Sequence, residues 1–516
     1  MAVQTNTEVA ASKTGLTYAE RWVQSPNTLP DSYIEQVVTG LPNGEYELSA
    51  TCHAEMQGKS ATAVGVYLFA NDQKVEVSAT QRYKVNVTVM NGELTIGFKC
   101  ENTNANWITV DHFQLVKTDG GLRKGTAKPL NRGLMAVNLS SSGKSGNLVS
   151  WRIRESDADN YGYKLYRGTT AKIQNTTLNG GKLIKGKSNF VDTSGSASSY
   201  YRLEVIDEEG NVVDSMASVK AWGNQTTSIP TRTPTDIRGL GATYTPNDAS
   251  FCDMDGDGEY EIILKWDPNN SKDAASDGKT SDTYFDCYKM DGTLLWRINQ
   301  GPNIRSGAHT TPFIAWDLNG DGYGEFIIKT APGTVDGNGN YVVMAGDDPL
   351  QNCLNSRGKP DKGPEYLTVF DGMTGAEIST IKYHTDYAAG SSYWGDDKQN
   401  RSERYTACLA YLDGKYRNPS AIFNRGYYAG SFVGAYDFDG YTLKERWVSR
   451  HTSSGKGLYG EGAHWLTAAD LDGDGLHEIQ FGSAALDHDG RLLYRTGLGH
   501  GDAFHIGDFL TNRPGL

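Results

Sequence analysis

Apolar and polar residues alternate with a period of two through most of this chain, and the alternating runs are short. "YIEQVVTGLPNGEYELSATCHAEM" (33–56) and "YKVNVTVMNGELTIGFKCENTNANWITVDHFQLVKT" (83–118) each set an Asn-Gly turn between such runs, a pattern that predicts β-hairpins. "GNLVSWRIRESDADNYGYKLYRGTTAKI" (146–173) and "NFVDTSGSASSYYRLEVIDEEGNVVDSMASVKAW" (189–222) continue the scheme, with Trp151, Tyr166 and Tyr201 at expected core positions. Beyond Gly223 the hairpins carry Asp-Gly turns: "CYKMDGTLLWRI", "TVFDGMTGAEIST", "AYDFDGYTLKERW" and "ALDHDGRLLYR". Spaced in this way, they read as successive four-stranded units of the propeller type. The expected fold is all-β. It comprises a jelly-roll sandwich at residues 1–121, a fibronectin-like β-sandwich at 122–224 and a β-propeller at 225–516. A basic linker, "DGGLRKGTAKP" (119–129), separates the first two units. The last unit, "GDAFHIGDFLTNRPGL", begins a strand and stops, so the ring of blades is expected to be incomplete.

Size and composition agree with this division. The 516 residues suffice for about three domains. The 60 glycines, 29 tyrosines and a mean hydropathy of -0.53 suit many short strands joined by tight turns. A net charge of -13 argues against nucleic acid or an anionic membrane as partner. No apolar run approaches the length of a membrane span. The start, "MAVQTNTEVA", lacks the basic and apolar regions of a signal peptide. The six cysteines show no metal-binding spacing, and Cys52 and Cys100 either pair or remain thiols.

One chemical pattern repeats. "DMDGDGEYE" places Asp253, Asp255 and Asp257 at positions one, three and five of a loop, Gly258 at the sharp turn and Glu261 at position nine. "DLNGDGYGE" repeats this with Asp317, Asn319, Asp321 and Glu325, and "DLDGDGLHE" with Asp470, Asp472, Asp474 and Glu478. Position seven, which offers a backbone carbonyl in calcium loops, is Glu259, Tyr323 and Leu476 in turn. Carboxylates packed so closely repel one another unless a cation sits among them. A single acidic loop is as well explained as a solvated turn, but three copies with one ligand spacing point to Ca2+. Short β-type runs follow each loop, so these are not EF-hands. Weak calcium loops suit millimolar external calcium, and secretion is expected on that ground.

"NDASFCDMDGDGEYEIILKWDP" (247–268), "LWRINQGPNIRSGAHTTPF" (295–313) and "GLGHGDAFHIGDFLTNRPGL" (497–516) occur in the order found in family-eleven polysaccharide lyases, which this chain resembles from Leu130 to Leu516. The resemblance implies an eight-bladed, calcium-rich propeller. It also implies cleavage of the rhamnogalacturonan I backbone of pectin by β-elimination, leaving 4,5-unsaturated galacturonosyl ends. Such chemistry needs a cation on the uronate carboxylate and a base within hydrogen-bond reach of the C5 proton. By motif, the resemblance places Asn247 and Asp267 against substrate. It puts Asp248, His464 and His500 at a calcium in the cleft, with His309 and His505 ranked lower. The family's chain continues past the equivalent of Leu516, so the general base is expected beyond it, and the fragment alone is expected to be a poor catalyst. Lys265, Arg297, Arg305, Lys329 and Arg425 read as surface or strand-edge charges.

Other readings stay open on the residues alone. A non-catalytic, calcium-stabilised adhesion or carbohydrate-binding propeller explains the loops, though not the "NDAS", "KWDP" and "GLGHGD" blocks. A glycoside hydrolase would need two carboxylates flanking a bond, and aspartates are plentiful. Without the resemblance, His464 and His500 read as hydrogen-bonded core residues. In the first unit Asn104, Asn106 and Trp107 are candidates for sugar contact, with a core tryptophan preferred. The expected partner is a polysaccharide, and the expected state a monomer.

Overall fold

Strand Gln81–Val89 shows how the period of two becomes structure: Tyr83, Val85, Val87 and Val89 are buried while Lys84, Asn86 and Thr88 face outward. One face dry and one wet is the signature of an antiparallel sheet packed on a single side. The structure is a computed structural model. It describes residues 2–4, 18–39, 41, 44–89, 93–117, 127–128, 130–154, 157–385, 392–415, 417–507 and 509. The predicted linker, apart from Ala127 and Lys128, and the terminal "TNRPGL" lie outside the described residues, as does part of each Asn-Gly turn of the first unit.

In the first unit two antiparallel sheets share one core. The larger orders Ala2–Gln4, Tyr18–Trp22, Trp107–Lys117, Gly44–Glu55 and Gln81–Val89 side by side. The smaller orders Ser32–Thr39, Glu93–Cys100, Val66–Ala70 and Gln73–Glu76. Leu48, Leu68, Val85, Phe98 and Ile108 meet between them. Cys52 and Cys100 are buried thiols, not a disulfide, and the other four cysteines are free as well.

The second unit pairs a three-stranded sheet (Met135–Asn138, Asn147–Ser150, Asn189–Asp192) with a four-stranded one (Thr176–Thr177, Gly162–Gly168, Tyr200–Ile206, Val212–Lys220). Trp151 and Tyr201 are core residues as expected, with Leu165 and Leu203. Tyr166 is not. It is half-buried at the sheet surface, where its hydroxyl donates to Glu204 (2.7 Å) and Arg202 stacks 4.1 Å from its ring centroid. The phenol finds a charged partner there that an apolar core does not offer.

Four four-stranded antiparallel sheets then follow, each a simple meander in chain order. The first is Tyr244–Cys252, Glu261–Pro268, Tyr284–Tyr288 and Leu294–Asn299. The second is Phe313–Trp316, Glu325–Thr330, Tyr366–Asp371 and Glu377–Lys382. The third is Tyr405–Ala410, Ser420–Arg425, Ser431–Phe438 and Leu443–His451, and the fourth Thr467–Ala469, Glu478–Phe481, Ala484–Leu486 and Leu492–Arg495. Neighbouring sheets pack face to face, with Phe285 and Phe326 in the first interface, Ile327 and Phe423 in the second, and Ile422 and Ile479 in the third. Because both faces of the middle strands are covered, Glu325–Thr330 and Tyr366–Asp371 are buried at every residue. Phe326 is the hub of the first interface, with ring centroids of Phe285, Trp296, Phe313 and Phe370 at 5.3, 5.5, 5.6 and 6.0 Å.

Burial on both faces overturns one expectation. Lys265, Arg305, Lys329 and Arg425 are not surface charges; each is at most 3% exposed. Arg425 Nη1 donates to Glu365 and Nη2 to Glu403, both at 2.7 Å, while Lys329 Nζ reaches Glu365 at 3.0 Å and the Tyr405 hydroxyl at 2.8 Å. Arg297 is tied to the fully buried Asp286 at 2.6 Å. A cation can be buried this deeply only where carboxylates and carbonyls satisfy it.

Candidate functional site: acidic loops and a histidine cluster

Each acidic loop joins the first strand of a sheet to the second, in the first, second and fourth sheets. The three copies share one hydrogen-bond scheme. The leading aspartate accepts from the glycine N–H at position six: Asp253 from Gly258 (2.9 Å), Asp317 from Gly322 (2.8 Å) and Asp470 from Gly475 (3.1 Å). Those glycines have φ of +88°, +87° and +90°, a conformation any Cβ would strain. The closing glutamate accepts from the N–H at position two: Glu261 from Met254 (2.8 Å), Glu325 from Leu318 (2.9 Å) and Glu478 from Leu471 (2.6 Å). The aspartate at position five accepts from the N–H at position seven, which fixes Glu259, Tyr323 and Leu476 at the turn.

Nine residues thus fold around a point where side-chain oxygens converge. One ligand oxygen from each of Asp253, Asp255 and Glu261 lies within 4.8 Å of the others, and the same holds for Asp470, Asp472 and Glu478. Glu478 is fully buried, and its Oε1 has no hydrogen-bond partner. A buried, unpartnered carboxylate oxygen beside two aspartates, with oxygen as the donor, fits a hard divalent cation such as calcium. Burial lifts the carboxyl of Glu261 to about 7 and those of Asp253 and Asp317 to about 6.

The second centre is assembled from distant segments. An isolated parallel bridge between Ala463 and Gly501 sets His464 beside His500, with ring centroids 5.1 Å apart. His500 Nδ1 lies 2.6 Å from the Gly462 carbonyl, so that nitrogen carries the proton and Nε2 is left as the lone-pair face. Asp502 Oδ1 stands 3.9 Å from His464 Nε2 and 3.8 Å from His500 Nε2, and the three side chains form a group of metal-ligand dimensions. Tyr427 stacks on His500 at 5.7 Å, Tyr428 pairs its hydroxyl with His464 Nε2 at 3.0 Å, and His309 approaches His464 edge-on at 5.5 Å. Behind them Arg404, 5% exposed, is held by Asp273 and Asn400. Burial, Arg404 and the neighbouring ring lower the pKa of His309; burial and His500 lower that of His464. Both imidazoles are therefore neutral at neutral pH, the form that ligates a cation or accepts a proton.

Asn247 and Asp248 occupy a β-bulge, two residues opposite the single Lys265 in the register of the first sheet. The bulge turns both outward: Asn247 is exposed, and the Asp248 side chain is 68% exposed. Lys265 Nζ lies 3.5 Å from Asp248, from Asp267 and from the Gly307 carbonyl. Burial raises the pKa of Asp267 against the pull of Lys265. The structure therefore groups Asp248 with Lys265 and Asp267, and groups His464 and His500 with Asp502. His505 is exposed.

Several participants were not picked out in the sequence. Asp502 follows His500 by two residues, a spacing that in extended chain returns a side chain to the same side, and was the available signal. Tyr427, Tyr428, Arg404 and Asp273 offered none. In the first unit the candidate sugar contacts are engaged internally. Asn106 is buried between Gln57 and Val23, Asn104 bonds Val64 and Thr62, and half-buried Trp107 donates to Glu20 (2.8 Å).

Four stacked meanders, three of them with an acidic loop between their first two strands, define a class of all-β protein that carries its chemistry on loops. Comparison with known proteins makes this specific. Residues 226–516 match the family model "Rhamnogalacturonan lyase family 11, C-terminal domain", and 126–222 match "Rhamnogalacturonan I lyases beta-sheet domain". The chain belongs to family 11 of the rhamnogalacturonan lyases. It is 45% identical over 412 residues to rhamnogalacturonan endolyase YesW of Bacillus subtilis strain 168, covering 78% of this chain and 62% of that protein. It is 43% identical over 398 residues to rhamnogalacturonan exolyase YesX of the same organism, covering 76% and 62%. The solved rhamnogalacturonan lyase of Bacillus licheniformis superposes with a TM-score of 0.66 at 41% identity, over 76% of this chain and 64% of that one. The chain thus spans a little under two thirds of the length of these relatives.

Proposed function

We propose that the chain acts in rhamnogalacturonan I degradation as a lyase that breaks the rhamnosyl-galacturonosyl backbone by β-elimination. The reading is carried by the cluster of His309, His464, His500 and Asp502, three imidazoles and one carboxylate grouped inside the family-11 region. Calcium held there would neutralise the uronate carboxylate and make its C5 proton more acidic. The chain's own residues bind and orient: Asn247 stands exposed toward solvent, Asp248 presents charge beside it with the buried Lys265 3.5 Å behind, and Tyr427 and Tyr428 wall the histidines. The acidic loops of the second and fourth sheets are read as structural calcium seats, that of the fourth sheet being the best formed.

The four meanders support a β-propeller, since the first strands of successive sheets lie next to one another as blades do around an axis. The first unit is read as a jelly-roll, carbohydrate-binding-like appendage, and the second as a fibronectin-like spacer. Among the described residues no helix is long and apolar enough to cross a membrane. Work outside the cell, on insoluble or soluble pectin, fits the substrate. The test is the ultraviolet absorbance of the conjugated uronide during digestion of rhamnogalacturonan I. New reducing ends without that absorbance would mean hydrolysis, and neither signal would favour a binding protein.

A further inference from the structure

The three acidic loops are alike in sequence but not in what faces them. In the second sheet the register pairs the loop glutamate, Glu325, with Asp371 of the third strand. Extended by one residue from Ile262↔Tyr288 and Ile479↔Leu486, the same register puts Lys289 opposite Glu261 and Asp487 opposite Glu478. One loop therefore faces an ammonium and the others a carboxylate.

The ammonium is engaged. Lys289 Nζ lies 2.5 Å from Asp255 Oδ2 and 2.8 Å from Asp257 Oδ2. These are the oxygens left over after Asp255 Oδ1 and Asp257 Oδ1 accept backbone N–H groups, so they are the ones a cation within the loop would use. In the fourth sheet Asp472 and Asp474 likewise spend Oδ1 on the backbone, but among the described residues no lysine or arginine reaches them. Glu478 Oε1 is buried and unpartnered there, as Asp253 Oδ1 is in the first loop, so the loops differ at positions three and five; the imidazole of His488 sits 2.8 Å from Asp487 and 3.9 Å from Asp474. The third sheet, which lacks the acidic motif, points the same way. Its strand connection is closed by a protein cation, Arg446, donating to both oxygens of Asp413 (2.6 and 2.5 Å) and lying 3.5 Å from Asp437. Asp437 is the counterpart of Lys289 in register, opposite Ser420.

We propose that Lys289 is the built-in cation of the Asp253–Glu261 loop, so that this loop is closed without calcium at concentrations that fill the Asp470–Glu478 loop. The inference rests on reading the latter as a calcium seat. A tethered ammonium gains its Coulomb attraction without the translational cost of capturing an ion, and it repels a second cation from the same oxygens. The first loop is then a calcium-independent strap, and the residue opposite the loop glutamate decides which kind each loop is.

The experiment is a count of bound calcium on the chelator-stripped full chain, by equilibrium dialysis against radioactive calcium. Asp470→Asn should remove one ion, while Asp253→Asn should remove none. Lys289→Met should gain one ion, which Lys289→Met/Asp253→Asn then lacks. The gained site should bind roughly 30-fold more tightly at low salt than the same loop with Lys289 present, the size expected for charges of +2 and +1 about 4 Å apart at a water-like dielectric. Loss of an ion on Asp253→Asn with Lys289 in place, or no gain in Lys289→Met, overturns the assignment. If Lys289→Met does not fold, the count for Asp253→Asn, with Asp255→Asn as a second route, still decides. No loss in Asp470→Asn would instead sink the calcium reading of the loops and the contrast built on it.

Discussion

Replacing Arg425 with methionine tests how far the four-sheet unit depends on charges buried between its sheets. The guanidinium is fully buried and makes three bonds of 2.7 Å, to Glu365, Glu403 and the Ser402 carbonyl. With Lys329 it balances two carboxylates against two cations in a pocket without water access. Burial raises the Glu365 carboxyl, but Arg425 and Lys329 outweigh it and hold the group below its ordinary value. Methionine fills similar space and leaves Glu365 and Glu403 sharing one cation. Breaking a buried pair by removing one partner costs about 3–5 kcal/mol, against ~0–1 kcal/mol for an exposed pair. For a unit of this size that lowers the apparent Tm by roughly 10 °C. Calorimetry and urea titration of Arg425→Met should show it. Adding Glu365→Gln restores neutrality and should recover a substantial share. A loss below about 1 kcal/mol, or a double variant as unstable as the two single losses added, would refute the electrostatic argument.

Phe326→Ala removes the ring on which four aromatics converge and should cost about 3–5 kcal/mol in the same melts, more than any exposed aromatic such as Phe251. His464→Ala and His500→Ala should abolish uronide absorbance while leaving the calcium held by the fourth-sheet loop, as dialysis would report; full activity in both would displace the site. His384 is buried, bonded to the Tyr436 hydroxyl (2.7 Å) and near the Phe432 carbonyl (3.0 Å), and burial depresses its pKa to about 3. The unfolded chain takes up that proton first. The stability His384 contributes is therefore present above the ordinary value of 6.5 and lost as pH falls from there toward 3, ~2 kcal/mol being gone by about pH 5. His384→Gln should flatten that part of the pH–stability curve, and an unchanged slope would contradict the assignment.

What was legible in the sequence is what local chain geometry determines. Nine consecutive residues carry Asp253, Asp255, Asp257 and Glu261, and the three loops share their internal hydrogen bonds because each bond spans only two to seven residues. Alternation placed Val85 and Val87 inward, and Asp-Gly pairs marked hairpins, for the same reason. The family resemblance named His464 and His500. The tertiary structure decided whatever depends on which strands become neighbours. Arg425 and Lys329 looked like surface charges because their partner, Glu365, is 60 and 36 residues away. Tyr166 looked like core until Glu204, on the adjacent strand, was there to take its proton donor. His464 meets His500 and Asp502 only through the bridge at Ala463 and Gly501, and Lys289 enters the first loop only because its strand pairs with the one that opens at Glu261. A local motif specifies its own turns. Whether a metal, a lysine or water balances its charge is set by the side chains that folding brings opposite, and pairing between strands far apart in the chain leaves no short-range mark.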